Sequence, residues 1–131
     1  MNTKSKTLEN TGSIPKNLNV REVANDLTSQ IYNVTNYFPE KEQFRLVSQM
    51  RSTALYVSGN IIEGKSRKSQ KELSHFFNIA RESVDKLNYF LQLSKGLNYL
   101  NSDQYEALND KCSHIGSMLN NLTNRNITSL N

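Results

Sequence analysis

Residues 44–83 read FRLVSQMRSTALYVSGNIIEGKSRKSQKELSHFFNIARES, and the periodicity of this stretch decides the fold. Val47, Met50, Ala54, Val57 and Ile61 are spaced 3, 4, 3, 4, which lines them along one stripe of a helix. Phe44, Leu55 and Ile62 form a flanking column, so the buried face is expected to be wide. Glu63-Gly64 reads as the helix end, with glycine in the left-handed conformation that closes the last carbonyls. After a short basic linker, Ser69-Gln70-Lys71-Glu72 has the spacing of a capping box. Leu73, Phe76, Ala80, Ser83, Leu87, Phe90, Ser94 and Leu97 then keep a 3–4 rhythm, predicting a helix roughly 40 Å long.

Working outward, Val20, Ala24, Leu27, Ile31, Val34 and Phe38 make an amphipathic stripe that Pro39 ends, with Asn17 or Asn19 as its cap. The short Phe38–Lys41 turn folds the second helix back on the first. Downstream, Gly96–Asn101 is the next break, with Leu97, Tyr99 and Leu100 expected to tuck under the end of the fold. Asn101 or Ser102 caps a last helix whose stripe is Tyr105, Leu108, Cys112, Ile115, Leu119 and Leu122. Four stripes with short links predict an all-α protein, an antiparallel up-down-up-down four-helix bundle. Its expected parts are a disordered arm over 1–14, the bundle over 15–124 and a frayed tail over 125–131.

A chain of 131 residues is one domain, and 36% hydrophobic content is enough for four helices that each bury a single stripe. The polar start and the lack of a long apolar run argue against membrane insertion and predict a cytoplasmic protein. One cysteine, Cys112, excludes an intrachain disulfide. The net charge of +4 is unevenly placed. Residues 40–71 hold seven basic side chains against three acidic ones, while 72–131 are slightly acidic.

Lys65, Arg67, Lys68 and Lys71 fall within seven residues at the predicted N-terminus of the third helix. Free amides and the positive end of the helix dipole favour an anion there, and arginine grips phosphate with paired hydrogen bonds. Arg51, four turns before Lys65, extends the same face. The bland alternative is a solvated turn offset by Glu63 and Glu72. Phe76, Phe77 and Phe90 fall at helical spacing and read as core rather than as a base-stacking platform. Tyr56, Tyr89 and Tyr99 lie off the main stripes and are candidates for contacts between subunits. Leu55, Ile62, Phe77, Val84 and Leu91 add apolar surface beyond one core, which favours a homo-oligomer. Cys112 and His114 point to different sides of a helix and cannot share a metal, and Glu72-Leu73-Ser74-His75 is a single copy of a motif that di-iron bundles use twice. Neither a nucleophile–base pair nor a glycine-rich phosphate loop is present, so no catalytic residue, metal or cofactor is assigned.

Phe38-Pro39, Glu42, Phe44, Leu46, Gln49, Arg51, Ala54, Ser58, Asn60-Ile61, Glu63-Gly64, Arg67, Ser69, Glu72, Phe76, Ile79-Ala80 and Ser83 form a pattern that resembles the bacterial ribosomal-RNA intervening-sequence proteins. The resemblance spans roughly residues 20–124. It implies an up-and-down bundle, a ring-shaped pentamer in some members, association with nucleic acid and no catalytic activity. A structural relative is the accessory protein of diversity-generating retroelements, which partners a reverse transcriptase. Residue readings and resemblance together predict nucleic-acid binding, RNA ahead of DNA, through Arg51, Lys65, Arg67, Lys68 and Lys71. The alternative is an adaptor that docks a protein such as a reverse-transcriptase-like enzyme.

Overall fold

Asn19 starts the first helix by a reciprocal exchange with Glu22. Its Oδ1 accepts from the Glu22 amide at 2.9 Å, and the Glu22 carboxylate accepts from the Asn19 amide at 3.1 Å. The structure, a computed structural model, describes residues 19–130, with side chains through residue 124. The expected arm, the expected start of the bundle at residue 15 and the cap at Asn17 lie outside the described residues, as do the side chains of the expected tail. Helix α1 spans Val20–Thr35, a single 3-10 turn covers Glu40–Glu42, and α2 spans Leu46–Lys65. Helix α3 spans Gln70–Gly96 and α4 spans Ser102–Leu130, with no strand among the described residues.

Each helix packs on its neighbour in sequence, and α1 meets α4 to close an antiparallel four-helix bundle. One pole gathers Asn19, Lys65, Leu73 and Leu122 around a common groove. At the other pole the Phe38 and Tyr99 rings pack at a 51° tilt with centroids 5.2 Å apart, and the Tyr99 hydroxyl donates to the Glu42 carboxylate at 2.8 Å. The core holds the whole predicted α2 stripe, from Val47 to Ile61, together with Leu27, Ile31, Leu87, Leu108, Ile115 and Leu119. Each such aliphatic side chain contributes roughly 1.5–3 kcal/mol by leaving water.

The structure departs from the sequence expectations at identifiable points. Phe44 precedes α2 and is 93% exposed, and Leu55 and Ile62 also face outward, so the buried face of α2 is narrower than expected. On α3 the inward column runs through Phe77, Val84 and Leu91, with Phe76 and Phe90 only half-buried. Either column completes a 3–4 stripe with Ala80, Leu87 and Ser94, and the packing direction of α2 and α4 selects between them. Ser69 does cap α3, accepting from the Glu72 amide at 3.0 Å, but the return bond from the Glu72 side chain is not made. Tyr99 is occupied within its own chain, and Leu97 is exposed whereas Leu100 is buried.

Gly64 does not end α2 in a left-handed conformation, because no glycine among the described residues has a positive φ. It lies inside the last turn, where a Cβ would stand 2.8 Å from two carbons of the Phe77 ring. The glycine lets α2 and α3 approach at their joined ends. The left-handed residue is Asn98, with φ 66°, just past α3. There the Tyr99 amide donates to the Ser94 carbonyl at 2.8 Å and the Asn98 amide to the Lys95 carbonyl at 3.0 Å, the pairing of a Schellman cap.

Candidate nucleic-acid interface

The α2–α3 connection runs from Ser66 to Ser69, and its own hydrogen bonds hold it. The Ser66 hydroxyl donates to the Glu63 carbonyl at 2.8 Å, and the Arg67 amide donates to the Gly64 carbonyl at 3.1 Å. Both serines of the linker are thereby spent on backbone, one closing α2 and the other capping α3. Lys65, Lys68 and Lys71 are exposed, and none of them makes an ion pair among the described residues. They stand at the end of α2, in the connection and in the first turn of α3, whose leading amides have no intrahelical acceptor and carry the positive end of the dipole.

Arg67 is placed differently. Its guanidinium pairs with the Glu63 carboxylate one turn back and lies 4.9 Å over the Phe76 ring. The side chain is therefore anchored between Glu63 on α2 and Phe76 on α3, which lowers the net charge it adds but fixes its position.

Arg51 is not brought to this cluster. Fourteen residues separate it from Lys65, about 21 Å along α2 at 1.5 Å per residue. Its Nε donates to Thr35 Oγ1 at 2.9 Å, and its Nη2 donates to Asn36 Oδ1 at 3.1 Å and to the Tyr32 carbonyl at 3.4 Å. The guanidinium also lies 4.6 Å over the Tyr32 ring. Arg51 thus clips α2 to the C-terminal end of α1, where a cation is favoured by the dipole.

Sequence reasoning missed the surroundings of Lys65. Together with Asn19, it borders an apolar groove of about 450 Å³ floored by Val20, Leu73, Phe77, Met118 and Leu122. These residues come from all four helices, so no local pattern announces the groove. A second concavity lies between α3 and α4 and is polar, lined by Arg81, Asp85, Asn88, Asn109 and Ser117.

Cys112 lies beneath the α3–α4 groove with 2% of its surface exposed. Burial, with a smaller contribution from nearby Asp85, pushes its thiol up to about 12 from 9.0. A nucleophile needs the thiolate, which this site disfavours. Native protein at pH 8 is therefore expected to resist a thiol reagent that modifies the urea-unfolded chain at once. The sign of the linked stability follows. The contribution is full below about 9 and is lost as pH rises from about 9 to about 12, because only the unfolded thiol ionises in that window. A urea-denaturation series across that range checks the decline, with Cys112→Ala as the reference.

Among the described residues, no helix is long and apolar enough to cross a membrane. The family model described as 23S rRNA-intervening sequence protein matches residues 16–121 of the chain. A similar solved structure is that of a protein with unknown function from the S23 ribosomal protein family of Bacteroides thetaiotaomicron. It has a TM-score of 0.74 and 22% identity, and the match covers 79% of this chain and 97% of that one. At that identity the likeness is one of fold. No curated protein matches the chain.

Proposed function

The chain belongs to the 23S rRNA-intervening sequence protein family, and from that premise we propose a non-enzymatic, cytoplasmic, oligomeric bundle that binds nucleic acid, structured RNA ahead of DNA. The observation that carries the reading is the group of exposed lysines, Lys65, Lys68 and Lys71, free of ion pairs among the described residues and gathered at the start of α3. Arg67 adds a positioned guanidinium at the edge of this group. Arg51 belongs to the reading as a remote contact at most, since its donors already serve α1. In a homo-oligomer the patch repeats, and a pentameric ring multiplies its field around one face.

Binding of this kind is driven by counterion release. The logarithm of affinity is expected to fall with the logarithm of salt by roughly 0.7–0.9 per phosphate contact. In a fluorescence-anisotropy titration with a structured RNA, the triple variant Lys65→Gln, Lys68→Gln, Lys71→Gln is expected to flatten that slope by about 2–3 units. Arg51→Gln is expected to leave the slope unchanged while lowering the melting temperature. Absence of binding at low salt, or an unaltered slope in the triple variant, overturns the reading.

A specific feature favours a second reading, that of an adaptor for a protein partner such as a reverse-transcriptase-like enzyme. The outward face of α2 presents Leu55, Tyr56 and Ile62 at 45–58% exposure, and two adjoining shallow grooves share Ser52 and Leu55. Such a face suits either a second copy or a foreign helix. Sedimentation separates the two. Multiples of 15.0 kDa that dissociate in Leu55→Glu assign the face to self-association, and a monomeric chain leaves it to a different protein.

A further inference from the structure

A groove of about 700 Å³ opens along the α2–α3 seam, bordered from α2 by Tyr56, Gly59, Asn60 and Glu63, whose spacing places them on one face of the helix. Arg67 from the connection and Phe76 from α3 complete it. The Arg67 guanidinium is held on two sides, by the Glu63 carboxylate at its edge and by the half-buried Phe76 ring beneath it, 4.9 Å away. Its opposite face remains, and 37% of the side chain is exposed. Because Glu63 already takes a donor at its edge, this arginine has less to offer a phosphate than its lysine neighbours, but a guanidinium plane fixed in this way suits a planar ring. Tyr56, 58% exposed, stands seven residues before Glu63, about 10 Å along α2, and brings an aromatic ring to the far end of the groove. Between the two, Gly59 contributes no side chain, and a Cβ there would meet nothing within 4 Å.

Resting on the nucleic-acid reading above, we propose that this groove receives one unpaired nucleobase of the bound RNA, stacked on the outer face of Arg67, while Lys65, Lys68 and Lys71 hold the adjoining phosphates. Three arguments select this occupant. Lys65 lies two residues from Glu63 and Lys68 is next to Arg67, so a strand whose phosphates meet these lysines carries its bases within reach of the groove. A base in a duplex has its faces and its pairing edge already engaged, so only an unpaired nucleotide can be splayed out onto a guanidinium. The groove also holds hydrogen-bond acceptors. Asn60 donates through Nδ2 to the Tyr56 carbonyl at 2.8 Å, while its Oδ1 makes no hydrogen bond among the described residues, and the Glu63 carboxylate has a second oxygen beyond the one that Arg67 takes. The N–H groups on a base edge supply donors to these oxygens, whereas an apolar side chain of a protein partner would cover them and leave them unsatisfied.

The test compares three otherwise identical hairpin RNAs by fluorescence anisotropy: one fully paired, one with a single unpaired adenosine, and one with an abasic residue in place of that adenosine. The adenosine hairpin is expected to bind about 5- to 100-fold more tightly than the abasic one, the range set by stacking of one base. Arg67→Lys keeps the charge and removes the planar face, and it is expected to erase this difference while the salt slope on the fully paired hairpin is unchanged. Gly59→Leu fills the groove without touching any cation and is expected to erase the difference too. Equal affinity for the adenosine and abasic hairpins overturns the proposal, and an intact salt slope on the paired hairpin then leaves the nucleic-acid reading standing. A difference that survives either substitution also overturns it, because the base is then held elsewhere. If none of the three hairpins binds at low salt, both the proposal and the reading beneath it fall. An oligomer that dissociates in Leu55→Glu, with no preference for adenosine before or after dissociation, overturns the proposal and assigns the groove to contact between copies.

Discussion

Asp26→Ala is expected to cost about 2–4 kcal/mol of stability, whereas Lys111→Met is expected to fall within about 1 kcal/mol of the parent or to stabilise it. Lys111 is a lysine in the core of α4, its side chain 3% exposed and its Nζ 3.0 Å from Asp26 Oδ2 on α1. Removing the carboxylate leaves an ammonium in the bundle with no counter-charge, the costly way to break a buried pair. Asp26 is 38% exposed, so water reaches its oxygens, and the cost falls below that of a fully enclosed pair. The reverse change is gentle. Methionine reproduces the aliphatic stem of lysine, and the stranded carboxylate remains at the surface. Urea unfolding with an unchanged m-value provides the comparison. Equal costs for the two substitutions would show that the pair is held by exposed-charge attraction alone.

The second large effect contrasts two glycines of α2. Gly59→Ala is expected to stabilise by roughly 0.5–1 kcal/mol, because a Cβ there meets nothing within 4 Å and alanine is the better helix former. Gly64→Ala is expected to destabilise by about 1–3 kcal/mol despite the same gain in helix propensity. Its Cβ would meet the Phe77 ring at 2.8 Å and the Phe76 Cβ at 3.2 Å, and Phe77 is 2% exposed and held by the core. Relief must come from separating α2 and α3 where the basic connection joins them. Phe77→Leu is expected to recover much of the loss in the Gly64→Ala background but to be costly alone, and thermal melts of the four proteins check the coupling. A Gly64→Ala protein as stable as the parent would remove the close-approach account.

These two cases also mark where sequence reading stops. The stripes of α1, α2 and α4 were legible because apolar spacing is a local property, and Asn19 and Asn101 were legible as caps for the same reason. The run of four cations is a plain feature of the sequence, but the seating of Arg67 over the Phe76 ring was not legible in it. Lys111 was not, because the apolar stripe is complete without it and its partner lies on a helix distant in sequence. Gly64 looked like a stop signal because a glycine after a periodic run serves either as a cap or as a gap, and only Phe77 on the next helix decides. Arg51 looked like free charge for a similar reason, its acceptors Thr35 and Asn36 being on α1. The remaining uncertainty on α3 arose from adjacent apolar pairs, Phe76-Phe77 and Phe90-Leu91, either member of which keeps the rhythm.

An even number of antiparallel helices returns the chain to the pole from which it set out. The first described residue, Asn19, and Leu122, about two turns before the end of α4, both border the groove that contains Lys65. A label or surface tether introduced beside Asn19 or Leu122 will therefore hang over the lysine-rich cap. Immobilised binding experiments are better anchored through an engineered position near Leu97, which leaves that cap open to solvent.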